Sequence, residues 1–420
     1  MNTKLLQNVI ELREKTGPIF GTSVSVELVE EKLIEFFGTK SKFGTNLRMV
    51  HIGIGQGMLS VMVRIWPDWT PADRSLPKTV IAKISSLVTI QMVMKDSRVM
   101  EGIDDSEKGM EKMQQGMKVT LTEGHNAEVD FYNAVEKHRL EIKTPKLYFA
   151  QKYIGSSDQA FILMEDVGEE AFIIPSFEKI TIENAKQVLQ QLAVFHSYSL
   201  KEPKLLELGN MTVEKLKKFF YTSQVFLGCI MGLKQLGNAK LNELSDKLLE
   251  EADKITNLEG FANVNEKFGL PPILVHGDFW SSNIMWTHDN GNNKFKAIID
   301  WQMVHCGSIA EDLAKYLFCA LSAADRHQHL EELVNYYYDE LQRNHGQPLS
   351  FNLQQLEKSI SHISPTMMAM IIPAFGPLAA AQIELKHPHQ TNEYMNYCME
   401  NAIALAEDAL HYCHLNQVQT

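Results

Sequence analysis

The hydrophobic period of this chain changes partway along it, and that change limits the possible folds more than any other feature. In the first part, apolar residues fall in short runs rich in β-branched and aromatic side chains, at 47–52, 59–66 and 79–84. The stretch 148–164 reads as two further strands joined at Gly155-Ser-Ser-Asp158. Two amphipathic segments, 26–37 and 127–138, accompany these strands. From Glu183 onward a period of about 3.6 residues takes over, across 183–200, 213–236, 239–256 and most of 309–415. One β island, 273–301, interrupts it and carries the hairpin signal Asp289-Asn-Gly-Asn292 between two apolar runs. A β-rich first part and a helical second part holding one hairpin predict an α+β fold with a boundary near 165–168. Residues 90–126, with Met92, Met94, Met100, Met110, Met113 and Met117 set among charges, read as a mobile or helical Met-rich insertion.

Composition narrows the function by exclusion. The 420 residues carry 40 Lys and Arg against 52 Asp and Glu, a net charge of −12, with no basic block. That balance argues against nucleic acid held through its phosphates. Five scattered cysteines, Cys229, Cys306, Cys319, Cys398 and Cys413, make an odd number with no C-x-x-C pair, as expected for a reducing compartment. Glu11, Arg13, Glu14 and Lys15 stand where a signal peptide would be apolar. The longest apolar run, 365–383, is broken by Pro373, Gly376 and Pro377, so no membrane span is expected and the cytoplasm is the predicted location.

The segment richest in chemistry is Val275-His276-Gly277-Asp278-Phe-Trp-Ser-Ser-Asn283. Asp278 and Asn283 stand in the D-x-x-x-x-N relation of a phosphoryl-transfer loop. A carboxylate must accept the proton of the attacking hydroxyl, and an amide oxygen a few residues on can ligate a phosphate-bound metal. The hairpin returns the chain to Ile298-Ile-Asp300-Trp301, where Asp300 becomes a second carboxylate for a Mg²⁺ ion. A plain turn, or a His-x-Asp metallohydrolase pair, is the alternative for His276 and Asp278. Gly53-Ile-Gly55-Gln-Gly57-Met-Leu-Ser60 joins two strands; it suits phosphate binding through backbone N–H groups or, equally, an ordinary glycine hairpin. Lys83 lies in Val80-Ile-Ala-Lys83-Ile, where burial demands an anionic partner unless the strand is an edge and the ammonium snorkels out. Glu128 is the candidate partner, with Asp130 left open. The strand 161–165 leads into Glu165-Asp-Val167, whose backbone could meet an adenine edge.

Taken together, Lys83, Glu128, Met164-Glu165-Asp166, His276-Gly-Asp278 with Asn283, Ile299-Asp300-Trp301 and Ala310-Glu-Asp312-Leu-Ala resemble the choline-kinase/aminoglycoside-phosphotransferase group of the protein-kinase-like fold. More narrowly, HGDFWSSNIMW with IIDWQ and EDLAKYL resembles the ecdysteroid-kinase-like, or CHK kinase-like, family in its nematode-type branch. The resemblance implies a two-lobed fold, with a nucleotide-binding lobe over 1–165 and a helical lobe over 166–420 that holds the catalytic loop and acceptor site. It also implies ATP and Mg²⁺ as cofactors, Asp278 as base, Asn283 and Asp300 as metal ligands, and Lys83 paired with Glu128 over the phosphates. Gly55, Gly57, Ser60, Glu165 and Val167 would complete the nucleotide site. Ser60 takes the place of the third glycine, and Asp300-Trp-Gln302 replaces DFG.

Only eleven residues separate Asp300 from Asp312, which leaves no room for a peptide-docking activation segment, so the expected acceptor is a small molecule with a hydroxyl. Ser308-Ile-Ala-Glu311 predicts a capping box, and Asp312 in the following turn is expected to brace the catalytic loop. Trp280, Trp301 and Tyr316 are candidates for an aromatic cage around a choline-like cation. His196, on an apolar helix, reads as a core histidine. A catalytically silent, nucleotide-binding scaffold is the rival reading.

Overall fold

A computed structural model describes residues 11–53, 59–87, 107–154, 158–209, 230–234 and 236–418. Two compact units divide the chain: Met1–Arg139 with Thr144–Glu170, and Leu140–Lys143 with Ala171–Thr420. The first is built on a sheet and the second mainly on helices, so the architecture is α+β.

The sheet of the first unit has six antiparallel strands: β1 (Glu11–Leu12), β2 (Arg48–Ile52), β3 (Ser60–Trp66), β4 (Val80–Ser85), β5 (Leu147–Gln151) and β6 (Phe161–Glu165), in the order β1-β2-β3-β4-β6-β5. β4 lies inside the sheet, with Lys83 opposite Met62 on one side and Ile162 on the other, and all six of its residues are buried. Strand alternation sends Val80, Ala82 and Ile84 to the face that packs with Val61, Val63, Ile65, Phe161 and Leu163 against Val29 and Leu33 of the helix Val26–Phe37. That helix is fixed at both ends: the Ser25 hydroxyl accepts the Leu28 N–H at 3.3 Å, and Gly38 closes it at φ 61°. Lys83 falls on the opposite face of β4.

Among the described residues between β4 and β5 runs one helix, Glu107–His138. The expected insertion and the expected helix at 127–138 are therefore continuous from 107 onward, because Glu, Lys, Met and Gln are good helix formers and no proline breaks the run. Residues 90–106 of the insertion lie outside the described residues.

In the second unit, β9 (Ile284–Asp289) and β10 (Asn292–Ile298) form the predicted hairpin, turned by Asn290 and Gly291 at φ 51° and 82°. β7 (Phe172–Ile173) adds to β9, and β8 (Ile273–Val275) pairs with β11 (His305–Gly307). The Ile298 N–H donates to the Lys143 carbonyl at 2.8 Å, so the detour Leu140–Lys143 belongs here. The principal helices are Ile182–Lys201, Ala239–Glu250, Ile309–Ala320, Ala323–His345, Leu353–Ile371, Pro377–Lys386 and Thr391–Val418. The predicted helix at 213–236 falls mostly outside the described residues, which show only 230–234 as helical. Among the described residues no helix is long and apolar enough to cross a membrane.

Leu163 is fully buried in the sheet core. Leu163→Ala is expected to cost about 2–5 kcal/mol of unfolding free energy. Urea denaturation followed by circular dichroism checks this, and an unchanged midpoint would refute it.

Candidate active-site residues

β8 delivers the loop 276–278 to the start of the helix Ile309–Ala320, where Asp312 grips it. The His276 N–H donates to Asp312 Oδ2 at 2.7 Å and the Gly277 N–H to Oδ1 at 2.9 Å. His196 Nε2 lies 3.1 Å from the same carboxylate, and His196 Nδ1 lies 2.6 Å from the Tyr337 hydroxyl. A carboxylate only accepts, so His196 donates from Nε2, while its Nδ1 pairs with the Tyr337 hydroxyl. Burial pushes the Asp312 carboxyl up, but hydrogen bonds from His196 and the His276 amide outweigh it and leave the pKa below the usual carboxylate range. The capping box appears as predicted: the Ser308 N–H donates to the Glu311 carboxylate at 2.8 Å, which fixes where the helix begins. His196 is indeed buried in the core, but what it secures is this brace.

His276 has both ring nitrogens engaged. Nδ1 accepts the Asp278 N–H at 3.2 Å, and Nε2 donates to the Ile299 carbonyl at 3.0 Å. Burial holds the imidazole below its ordinary pKa, hence neutral. The metallohydrolase alternative therefore falls, and among the described residues no trio of His, Cys, Asp or Glu is arranged for a metal. Gly277 has φ 76°, and a Cβ there would stand 2.3 Å from the Met303 carbonyl oxygen, so the turn admits only glycine.

Past this clamp stands the Asp278 carboxylate, its side chain 22% exposed. Oδ1 lies 2.6 Å from Lys315 Nζ, while Oδ2 receives Asn283 Nδ2 at 3.2 Å. Asn283 Nδ2 also donates to the Asp278 carbonyl at 2.8 Å. Both partners are acceptors, so the amide orientation is dictated and the oxygen Oδ1 is left for another ligand. The Ile299 N–H donates to the Asn283 carbonyl at 3.0 Å, which brings Asp300 back beside Asn283 at the base of the hairpin. Asp300 itself turns at φ 66°, and the next residue, Trp301, is fully buried against Phe195 and His276 at ring distances of 4.9 and 4.6 Å. Lys315 was not among the residues the sequence singled out. Its signal was the i,i+3 spacing from Asp312, which puts both on one helix face.

In the first unit Lys83 Nζ lies 2.6 Å from Glu128, with the two side chains 8% and 1% exposed. Asp130 instead pairs with Lys152 at the surface, which settles the open alternative. The edge-strand reading of Lys83 falls because β4 is flanked on both sides. His125 Nε2, close by, donates to the Gln151 carbonyl at 2.8 Å, and burial, helped by the Lys83 charge, brings its pKa down to about 4. Glu165 commits its N–H to the Lys146 carbonyl at 2.8 Å, so its amide is part of the sheet. The connector that includes Val167 is pinned by Asp166, which accepts from Arg64 Nη2 at 3.0 Å, pairs with the same guanidinium in an ion pair, and accepts the Gly168 N–H at 3.2 Å. Ser60 opens β3 opposite Ser85. Gly55 and Gly57 lie outside the described residues.

A buried Lys–Glu pair thus lies in the β unit and a braced Asp loop in the helical unit. The chain belongs to the family DUF1679, whose sequence model is described as "Uncharacterized oxidoreductase dhs-27" and matches residues 12–417. It is 25% identical over 329 residues to the Caenorhabditis elegans "Uncharacterized oxidoreductase dhs-27", covering 74% of this chain and 37% of that protein. It is 26% identical over 231 residues to the C. elegans "Uncharacterized kinase-like protein D1044.1", covering 51% of this chain and 55% of that protein. The match thus spans about a third and about half of these relatives, and the oxidoreductase name is given to a protein most of which lies outside it. Among solved structures it is similar to the choline kinase of Cryptosporidium parvum (TM-score 0.45, 12% identity, 89% of each chain covered). It is also similar to the ethanolamine kinase of Plasmodium vivax (TM-score 0.37, 12% identity, 86% and 82% covered).

Removing Asp312 strands two loop N–H groups and His196 in the interior. Asp312→Ala is expected to cost about 3–5 kcal/mol. Because the folded pKa is depressed, the stability that Asp312 contributes is complete above about pH 4 and is lost as pH falls below it. Denaturation from pH 7 to pH 3 should therefore fall more steeply in wild type than in Asp312→Asn, and parallel curves would refute the brace. For the buried pair, Lys83→Met should cost about 3–5 kcal/mol by stranding Glu128, and Lys83→Met with Glu128→Leu should recover most of it. Additive losses in that cycle would show the two side chains to be independent.

Proposed function

We propose that the chain is an ATP- and Mg²⁺-dependent phosphotransferase of the ecdysteroid-kinase-like (CHK kinase-like) kind, passing the γ-phosphate to a hydroxyl of a small molecule. The observation that carries this reading is the partly exposed Asp278 carboxylate, held on a loop clamped by a buried carboxylate and flanked by Asn283 and Asp300. Asp278 accepts the proton of the acceptor hydroxyl and aims its oxygen at phosphorus. Asn283, through Oδ1, and Asp300 are the metal donors; two hard oxygens, with the rest supplied by phosphate and water, suit Mg²⁺. Bound there, Mg²⁺ offsets the charge of the phosphate oxygens. Lys83, steadied by Glu128, pairs with the phosphates, and Gly55, Gly57 and Ser60 offer backbone N–H groups to them. Glu165 and Val167 meet the adenine through their backbone, with Val167 the donor because the Glu165 amide is taken.

The helix at Ile309 begins soon after Asp300, which favours a small acceptor over a peptide. Trp301 and Tyr316 are fully buried, so they cannot join Trp280 in a cage for a choline-like cation, and an uncharged steroid-like or xenobiotic alcohol is the better acceptor. We place the activity in the cytoplasm and assign it no nucleic-acid partner.

The test is transfer of the γ-phosphate from ATP·Mg²⁺ into a soluble-plus-lipid metabolite extract. Asp278→Ala is expected to lower the rate by about 10²–10⁴-fold while keeping nucleotide binding, and wild-type turnover would overturn the assignment. Asp300→Ala should lose Mg²⁺-dependent nucleotide binding measured by calorimetry; unchanged ATP·Mg²⁺ affinity would remove it from the metal site. Binding without transfer by wild type would favour the silent scaffold.

A further inference from the structure

We propose that Lys315 is a positioning residue that fixes the Asp278 carboxylate for proton acceptance, an assignment that rests on the phosphotransferase reading above. Lys315 Nζ lies 2.6 Å from Asp278 Oδ1 and 3.3 Å from the Gly277 carbonyl, so one ammonium ties the reacting side chain to its own loop. The lysine side chain is only 12% exposed, and its ammonium also lies 5.9 Å from the Trp280 ring, so its path is set by packing. Lys315 follows Asp312 by three positions, on the helix that the capping box anchors. A single helical turn thus holds the loop from two sides, Asp312 on its N–H groups and Lys315 on its carbonyl and carboxylate.

The last torsion of an aspartate is soft and nearly two-fold, so an untethered carboxylate interchanges and tilts its oxygens. The other restraint, Asn283 Nδ2 on Oδ2, is long at 3.2 Å. With Oδ1 held by Lys315, Oδ2 is the oxygen turned to the acceptor. In the reaction the acceptor O–H breaks and its proton goes to Oδ2. The acceptor oxygen bonds to the γ-phosphorus, and the bond from that phosphorus to the bridging oxygen breaks, with the electron pair leaving on ADP. Lys315 moves no proton; it sets the angle of the receiving lone pair, where a misplacement of about 1 Å costs on the order of 10²-fold.

The experiment follows release of inorganic phosphate from ATP·Mg²⁺, with water as acceptor, for wild type, Asp278→Ala, Lys315→Met and Lys315→Arg, with melting temperatures alongside. Lys315→Met should lose about 10²-fold in kcat, with KM for ATP·Mg²⁺ within about threefold of wild type. Lys315→Arg, which keeps the cation and the fold if methionine does not, should return to within about tenfold. The proposal is overturned if Lys315→Met turns over like wild type, or if Lys315→Arg is as slow as Lys315→Met while remaining folded. Activity in wild type that is lost in Asp278→Ala but kept in Lys315→Met sinks this assignment alone. Failure of wild type to bind or cleave ATP·Mg²⁺ sinks the phosphotransferase reading and this assignment with it.

Discussion

The buried carboxylate of Asp312 is the interaction on which the rest of the candidate site depends. A lone charge at zero exposure would be costly, and the structure offsets that cost with backbone N–H donors from His276 and Gly277 and an imidazole backed by Tyr337. These partners come from separated parts of the chain, so satisfying one carboxylate fixes a strand end, two helices and the loop at once. The start of the helix matters equally, because a shift of one residue would swing Asp312 by about 100° around the axis. Glu311 prevents that shift. One of its oxygens accepts the Ser308 N–H, and the other faces His305, whose second nitrogen meets the Met303 carbonyl. Burial disfavours charge on that imidazole, yet Glu311 outweighs it and raises the pKa, in keeping with two acceptor partners.

The first unit follows the same logic with opposite signs meeting directly. Lys83 stands on the central strand of a sheet that buries every residue of β4, and Glu128 arrives from the long helix. In each unit charge is set beside apolar residues, Lys83 in Val80-Ile-Ala-Lys83 and two carboxylates in Ile309-Ala-Glu-Asp312, and each string folds into the interior. A charge forced out of water must be paired, and this makes such positions legible in the sequence.

That is why so much of the site could be read from residues alone. The Asn290-Gly291 turn, the Ser308–Glu311 box, Lys83 and the bracing part of Asp312 all announce themselves through local chemistry. What stayed hidden depends on long-range packing. His196 and Tyr337 lie 116 and 141 residues from the groups they serve, so sequence could say only that the histidine was interior. Lys315 looked like any helix lysine until the loop was seen to lie against it. Trp301 and Tyr316 read as ligand aromatics and prove to be core, because aromatic character does not reveal which way a ring faces. The pattern divides the helix Glu107–His138 because its charged, Met-rich first half lacks a clear apolar stripe in sequence.

The detour through Leu140–Lys143 has a consequence for the modularity of the chain. The main chain visits the second unit briefly, returns to finish the sheet with β5 and β6, and only then enters the second unit for good. A fragment trimmed to begin at Ala171 would lose the Lys143 carbonyl that caps β10 and the Glu141 N–H that donates to the Tyr198 hydroxyl at 2.8 Å. The hairpin that carries Asp300 would then end on an orphaned amide. Exchanging halves with a relative by a single crossover at the unit boundary would graft those four residues from the wrong parent. Recombination between such genes is therefore expected to favour breakpoints ahead of Leu140, or inside a unit, over the boundary that the fold itself draws.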